Sequence, residues 1–222
     1  MSLPTQRTEP RQVADRVNHE FAEAAAILDE GLIAHVGFAV DGQPFVIPMT
    51  YAREGEHLYL HGASVSRLMK RLGEGLEVCV TVTHLDGMVL ARSTFGHSMN
   101  YRSVMIFGQA RWVDDAEEKD RALKQLVHFL VPGRNDEARA ADAKELNATA
   151  FLSLPIKEFS VKRRSGPPQD PAKDMSVETW TGEVPLRVVA EPPVDDPTMQ
   201  GDHTTPNYAI DYLNKRAAAL KE

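Results

Sequence analysis

A short stretch of the chain, residues 61–72, combines residue types that could bind an anion. It contains a glycine that permits close backbone approach, two serine hydroxyls and three basic side chains: Gly62, Ser64, Ser66, Arg67, Lys70 and Arg71. Hydroxyls, cations and free backbone N–H groups at the start of a helix together favour a phosphate group. The alternative is an ordinary serine-capped helix whose basic residues face solvent.

A strand followed directly by a helix is predicted to position these residues. Upstream, leucines at positions 58 and 60 alternate with Tyr59 and His61, which is the period of a strand. Downstream, apolar residues recur at helical spacing: Val65, Leu68, Met69 and Leu72. The anion-binding residues are therefore expected at the junction of the two elements.

The composition indicates a soluble globular protein with one main core. The chain has 222 residues, of which 42% are hydrophobic and 26% charged. No stretch has the apolar length of a membrane span, and the N-terminus lacks the apolar core of a signal peptide, so we expect a cytoplasmic protein without a membrane partner. A net charge of −7 argues against non-specific nucleic-acid binding. A single cysteine, Cys79, excludes a disulfide framework and a Cys-rich metal site, and we predict no metal site.

Strands in the first 165 residues come almost entirely as hairpins. The predicted strands and strand pairs are 32–40 with 43–51 across Asp41-Gly42, 57–61, 76–83 with 88–92 across Asp86-Gly87, 101–113, and 149–161 broken at Pro155. Gly108 inside the long strand indicates a bulge or bend. About six antiparallel strands with helices inserted between them fit a small closed or partly open barrel.

Helices and flanking segments complete the predicted organisation. Helices are expected from Asp15 or Asn18 to Gly31, after a capping box at 114–117, and around 137–146. We predict a flexible N-terminus over 1–14 and a barrel domain over 15–165. The segment 166–222, rich in proline, aspartate and glycine at its start, is predicted to be an extension packed on the barrel or dimer.

The sequence lacks the glycine-rich and catalytic motifs of several large enzyme classes. It contains no GxGxxG, Walker A, HExxH or GxSxG pattern. Rossmann enzymes, P-loop enzymes, zincins and α/β-hydrolases are therefore disfavoured.

Three segments, taken in order, resemble the FMN-binding split-barrel superfamily of pyridoxamine 5′-phosphate oxidase. They are DGQPFVIPMTY (41–51), HLYLHGASVSRLMKRL (57–72) and NYRSVMIFGQARWV (100–113), and the resemblance covers residues 17–165. Within the superfamily the chain is most similar to the nitroimidazole-resistance (Nim-like) proteins. The resemblance implies a mainly β fold, a six-stranded antiparallel split barrel of Greek-key topology with flanking helices. It also implies a homodimer that holds FMN in two clefts at the subunit interface.

The same resemblance implies a set of site residues. The strand segment Ile47, Pro48, Met49 and Thr50 would line the isoalloxazine ring, and Ser66 and Arg67 match the phosphate clamp. Leu68 replaces the lysine that follows this arginine in the oxidase, so Lys70 or Arg71 would supply the second cation. The remaining implied contacts are His61 on the reactive side of the flavin, Asn100, Tyr101 and Ser103, and Lys162 from the other subunit. His61 and Tyr101 are the implied proton donors in catalysis.

The function implied by the resemblance is a flavin-dependent reductase or oxidase of a small molecule, with FMN carrying hydride or electrons. Oxidation of pyridoxamine phosphate itself is not expected, because the C-terminal pattern for a second phosphate is absent. Two alternatives stay open. One is a non-catalytic flavin or haem protein, with axial-ligand candidates His35, His57, His61, His84 and His97. The other is a deazaflavin (F420) reductase on the same barrel.

Overall fold

A computed structural model describes residues 4–201 and 204–218, the last six by their backbone alone. The strands are β1 Val17–Asn18, β2 Ile33–Val40, β3 Gln43–Glu54, β4 His57–Ala63, β5 Glu74–Leu90, β6 Ser98–Trp112, β7 Thr149–Pro155, β8 Glu158–Arg164 and β9 Gly182–Pro185. The α-helices are α1 Phe21–Glu30, α2 Arg67–Gly73, α3 Ala116–Leu130, α4 Ala143–Ala148 and α5 Asn207–Ala218. Short 3-10 turns lie at Ala14–Arg16, Thr94–Gly96, Arg134–Asp136 and Ala172–Asp174.

Six strands close into a ring in the order β2, β3, β4, β7, β6 and β5, with β5 pairing again with β2. Every pairing in the ring is antiparallel. On its other edge β6 pairs with β8 over residues 101–107 and with β7 at residues 111–112. This change of partner splits the barrel wall and sends β8 away from the ring. The predicted mainly β split barrel with flanking helices is confirmed.

The first hairpin of the barrel forms as the sequence predicts. Asp41 and Gly42 both have positive φ, 51° and 79°, which is the conformation of a two-residue turn between twisted strands. Pro48 lies in the half of β3 that pairs only with β2, because pairing with β4 begins at Tyr51. A proline has no N–H for a second ladder, so this position suits it. Residues 43–50 therefore present a free edge among the described residues, called here the free β3 edge.

The hydrophobic core lies inside the barrel and beneath the helices α1 and α2, which pack on it. Leucines and valines on the inward faces are fully buried: Val36, Leu58, Leu60, Val80, Val104, Leu152 and Leu154. The α1 helix buries Leu28, whose backbone carbonyl accepts a hydrogen bond of 2.6 Å from the Tyr51 hydroxyl. The α2 helix buries Met69, and a Cβ on Gly62 would lie 2.8 Å from Met69 Cγ. Glycine at position 62 thus allows α2 to pack directly against the end of β4.

The Asp86-Gly87 hairpin prediction was wrong. Strand β5 runs without interruption from Glu74 to Leu90, and the Asp-Gly pair forms a bulge between Leu85 and Gly87. The physical reason is that β6 offers one continuous edge on both sides of the bulge. Asp-Gly favours a bulge as readily as a turn, and only the partner strand distinguishes them.

The first helix begins later than predicted. It starts at Phe21 rather than after Asp15 or Asn18, because Val17 and Asn18 pair with β8 as the short strand β1, with Val17 opposite Lys162. A two-residue strand leaves no periodic signal in a sequence. The long-range pairing with β8 therefore overrides the local capping pattern.

Two further expectations were also displaced. The helix expected around residues 137–146 is the shorter α4, which begins after a capping box between Asp142 and Glu145. Gly108 pairs in regular register with Val78, and the irregularities of this strand pair lie elsewhere. Gly108 instead marks the point where β6 changes its partner from β8 to β7.

The C-terminal extension is fixed to the barrel at its start by buried polar contacts. Arg164 is buried and donates to Asn100 and to the carbonyls of Gly166 and Pro167. The Asp170 carboxylate is 1% exposed and accepts from the backbone N–H and the guanidinium of Arg92, at 3.0 and 2.8 Å. Strand β9 then pairs with β5. In the described part of the chain, no helix is both long enough and apolar enough to cross a membrane.

We expect Asp170→Ala to lower the free energy of unfolding by about 2–4 kcal/mol, because it leaves the Arg92 guanidinium buried without its carboxylate. Chemical denaturation measures the change. Asp120→Ala is the matched control, since it removes a solvent-exposed ion pair with Lys124 and should cost less than about 0.5 kcal/mol. Equal stability of the two variants would contradict a buried anchor.

Candidate functional site

The residues predicted for the site fall into two groups in the structure. The first set, called the junction group, has members on β3, on β4 and at the start of α2: Ile47, Pro48, Met49, Thr50, His61, Ser66, Arg67 and Lys70. Thr50 lies beside His61, and β4 leads directly into α2. The β6–β8 group lies on two neighbouring strands and contains Asn100, Tyr101, Ser103 and Lys162. Each group is described before the relation between them.

The two cations of the junction group have no partner in the part of the chain that the structure describes. Strand β4 runs into α2 as predicted, and Ser66 occupies the N-cap position without a side-chain capping bond. The side chains of Arg67 and Lys70 form no ion pair or hydrogen bond with any described residue, whereas Arg71 lies 3.6 Å from Glu74. Two cations and a hydroxyl therefore remain available to an external anion.

The β3 residues of the junction group could contact a ligand mainly through their backbone groups. Ile47 and Met49 pair with inward-facing residues of β2, and Met49 packs on the core. Pro48 and Thr50 lie on the opposite, outer face of the sheet. A ligand at this place would meet the N–H and C=O groups of the free β3 edge, which are strong hydrogen-bonding groups.

His61 is the titratable residue at the centre of the junction group. It stands beside Phe151, with ring centroids 6.1 Å apart and planes 28° apart, and next to Thr50. Its Nδ1 is buried and has no hydrogen-bond partner in the described part of the chain. Burial lowers the pKa of His61, and a backbone group of Thr50 offsets this only in part. The imidazole is therefore neutral at neutral pH, and its buried Nδ1 is unpaired among the described residues.

Some side chains of the β6–β8 group already form hydrogen bonds within the protein. Ser103 lies opposite Lys162 and its hydroxyl donates to the Lys162 carbonyl at 3.3 Å, while Tyr101 lies opposite Arg164. Asn100 is buried, accepts from Arg164 and donates to Glu183. Its amide is thus occupied by contacts that hold the extension. The predicted flavin contact from Asn100 would have to replace one of them.

A cavity of about 490 Å³ adjoins the β6–β8 group. It is lined by residues 7–12 and by Val17, Thr81, Ser103, Met105, Ser160 and Lys162. Arg7 holds the N-terminal wall in place: its guanidinium lies 5.0 Å from the Phe107 ring centroid and pairs with Glu77 and Glu158. This cavity could not be predicted from the sequence, because a polar N-terminal segment has no hydrophobic periodicity that would show where it packs.

The two groups occupy different parts of one barrel. Phe151, the neighbour of His61, accepts a hydrogen bond of 3.0 Å from the backbone of Val113, just beyond the end of β6. Tyr101 lies near the beginning of β6. No described contact joins Tyr101 to His61, so a single chain does not bring the two predicted proton donors together.

Comparison with known proteins identifies the family. The family model of pyridoxamine 5′-phosphate oxidase matches residues 20–163, about two thirds of the chain. The chain belongs to the pyridoxamine 5′-phosphate oxidase family. This membership confirms the resemblance found in the sequence. No match was found among curated protein sequences.

Two solved structures extend the similarity of this family member beyond the barrel. The flavocytochrome Anf3 from Azotobacter vinelandii is 38% identical, with a TM-score of 0.90 over 96% of this chain and 99% of that chain. An FAD- and haem-binding protein from Mycobacterium smegmatis is 32% identical, with a TM-score of 0.86 over 89% and 97%. Because the first match leaves out only about 4% of this chain, it includes most of the extension.

A third structure shares the fold alone. A candidate 5-nitroimidazole antibiotic resistance protein from Bacteroides thetaiotaomicron is 22% identical, with a TM-score of 0.54 over 66% of this chain and 85% of that chain. Its shorter match fits a barrel without the whole extension.

We expect His61 to titrate below 6.5 in the folded protein, as measured by NMR of the imidazole protons. Since the unfolded chain then binds a proton more readily, the free energy of unfolding should fall as the pH drops below about 6.5. His61→Gln should remove this contribution to the pH dependence and identify the resonance. Titration of His61 at or above 6.5 would contradict the burial described here.

Proposed function

We propose that the protein is a flavocytochrome, an oxidoreductase that binds a flavin and a haem and passes electrons to or from a small molecule. One observation carries this proposal: similarity over nearly the whole length of both chains to a protein described as a flavocytochrome. The second long match, to a protein described as binding FAD and haem, supports the same pair of cofactors. Both matches continue beyond the barrel into the extension, covering 96% and 89% of this chain.

The junction group fits a flavin. Ser66, Arg67 and Lys70 would hold a phosphate, and the free β3 edge would offer hydrogen bonds to the polar edge of the ring. His61 would stand against the ring system with its unpartnered nitrogen and hold or deliver a proton there. A bound flavin would supply hydride or electron transfer, and the chain would supply orientation and exclusion of water.

We further propose that the site is completed by a second copy of the chain in a homodimer. The β6–β8 group would reach the flavin only across a subunit interface, which would bring Tyr101 near His61. Apolar side chains on β2 and β3 are exposed in the single chain: Ile33 (46%), Phe45 (43%) and Val46 (65%). Ile33 lies opposite Thr50 at one end of this hairpin and Phe45 and Val46 lie towards the other, so exposed apolar surface extends along the hairpin, which favours an interaction surface. Light scattering should give twice the 24.6 kDa mass of one chain.

The histidines differ in how free they are to bind haem iron. His84 Nε2 is 2.9 Å from the Ile27 carbonyl, to which it donates, and the His97 Nδ1 accepts from the Ala91 N–H at 3.4 Å. His35 and His57 have no such bond in the described part of the chain, and His61 keeps an unpaired Nδ1 although its ring bonds to the backbone of Thr50. Because haem needs only one or two axial ligands, we expect at least one to come from these three.

A second candidate function is a flavin-dependent oxidoreductase that binds FMN and no haem. The family match favours it, and FMN requires only the single phosphate that Ser66, Arg67 and Lys70 could hold. A non-catalytic flavin or haem sensor and an F420 enzyme would be distinguished from both by the cofactor that is bound and by turnover.

The absorption spectrum of the purified protein, with mass spectrometry of the released cofactors, tests these proposals. Two flavin bands together with a Soret band support the flavocytochrome, and flavin bands alone support the second candidate. A protein that is colourless and takes up neither flavin nor haem contradicts both. If a Soret band is present, single alanine variants of His35, His57 and His61 should include at least one that loses it, whereas His84→Ala should retain it.

Arg67→Ala should weaken flavin binding by about tenfold or more, because it removes a charged hydrogen bond to the phosphate. Fluorescence titration with flavin measures the affinity. Arg71→Ala is the matched control on the same helix, since Arg71 faces Glu74 and should leave the affinity within about twofold. Full flavin affinity in Arg67→Ala would show that the phosphate lies elsewhere.

A further inference from the structure

Residues 4–12, called here the N-terminal strap, cover the cavity of about 490 Å³, and residues 7–12 form one of its walls. The opposite wall is the outer face of the sheet, where Thr81, Met105 and Ser160 lie in one row across β5, β6 and β8. A cavity of this volume is large enough for a small molecule. The strap therefore stands between such a molecule and the sheet.

Arg7 makes the main contacts between the strap and the barrel. Its guanidinium pairs with Glu158 on β8 and, at 2.9 Å, with Glu77 on β5. It also lies over the Phe107 ring of β6, and the Thr5 hydroxyl donates to the same Glu158 carboxylate. The side chains of Arg7 and Glu77 are 47% and 56% exposed, so water and salt compete for these contacts.

Little else holds the strap against the barrel. Thr8 is its only buried residue, and the Thr8 carbonyl accepts from His19 Nε2 at 3.2 Å. Among the described residues, the strap pairs with no strand, and the backbone N–H groups of Thr8 and Glu9 bond within the strap to the Thr5 carbonyl. Segments with so few buried apolar contacts open at a low cost in free energy.

Val13 joins the strap to a fixed base. Its φ of 51° and ψ of 53° lie in the left-handed region, which is strained for a β-branched residue. Just beyond it, Ala14–Arg16 forms a 3-10 turn and β1 pairs with β8. A change of φ and ψ at Val13 would swing the strap away while β1 stays paired, and it would release the strain.

We propose that the N-terminal strap opens and closes over this cavity, with Val13 as its hinge and Arg7 as its latch. The closed strap covers the part of the β6–β8 group that lines the cavity, Ser103 and Lys162. The open strap admits a small molecule to these residues, and segments that cover a site in this way control entry and release. The inference rests on contacts within this chain and does not depend on which cofactor the protein binds.

The test places a thiol in the cavity and measures how fast a maleimide reaches it. The full-length chain carries Ser160→Cys in a Cys79→Ala background, so that the reporter is its only thiol. Adding Arg7→Ala should raise the labelling rate at least about fivefold, because loss of the ion pairs and the ring contact increases the open fraction. Loss of a nearby cation would by itself raise the pKa of a thiol and slow the reaction, so a faster rate reports uncovering.

Arg11→Ala is the matched control. Arg11 lies in the same strap and forms no ion pair with any described residue, so its loss should change the labelling rate by less than about twofold. Equal labelling with and without Arg7→Ala overturns the proposal. Labelling of the parent protein as fast as that of the urea-unfolded chain also overturns it, since the cavity would then be open already.

Limited digestion with trypsin gives a second measurement that needs no introduced thiol. Cleavage after Arg11 should be at least about fivefold faster in Arg7→Ala than in the wild-type chain, because the protease requires a released segment. Cleavage elsewhere in the same digest should keep its rate and serves as the internal reference. Unchanged cleavage after Arg11 would show that Arg7 is not the latch.

Discussion

The change of partner along β6 is the constraint on which the architecture depends. A strand that pairs with β8 over its first part and with β7 at its end cannot keep both in one closed ring, so the wall divides. The division carries Ser103 and Lys162 to one surface, and it carries Trp112 towards α2. The cavities of about 490 Å³ and 280 Å³ both take part of their lining from this strand.

The sequence was sufficient where local chemistry and long-range pairing agree. The Asp41-Gly42 turn, the strand–helix junction at residues 57–73 and the helix after residue 115 were all predicted, because turn, capping and periodicity point to one structure in each case. The position of Arg67 and Lys70 at the start of α2 was predicted for the same reason. Their spacing on one short helix is visible without any knowledge of the rest of the chain. The predicted capping box at 114–117 was one residue early, since Asp115 caps the helix by accepting from the Glu118 N–H.

Local sequence patterns did not predict the structure where pairing with a distant strand determines it. Asp86-Gly87 is a bulge because β6 is continuous opposite it, and Val17 is in a strand because β8 lies beside it. The cavity of about 280 Å³ lined by Lys70, Trp112, Lys119 and Thr149 combines residues from α2, β6, α3 and β7, which no single window of sequence contains. Lys119 in particular resembles any other lysine on a charged helix until Trp112 is placed beside it.

The free β3 edge has a consequence for the newly made chain. A row of unpaired backbone groups beside exposed apolar side chains can template the addition of strands from other molecules, which leads to aggregation. Pro48 interrupts that row, since it offers no N–H to an incoming strand. Before any cofactor covers this edge, Pro48 therefore limits the pairing of other strands with it. A cofactor bound at this edge would cover the same eight residues that could otherwise template aggregation during expression.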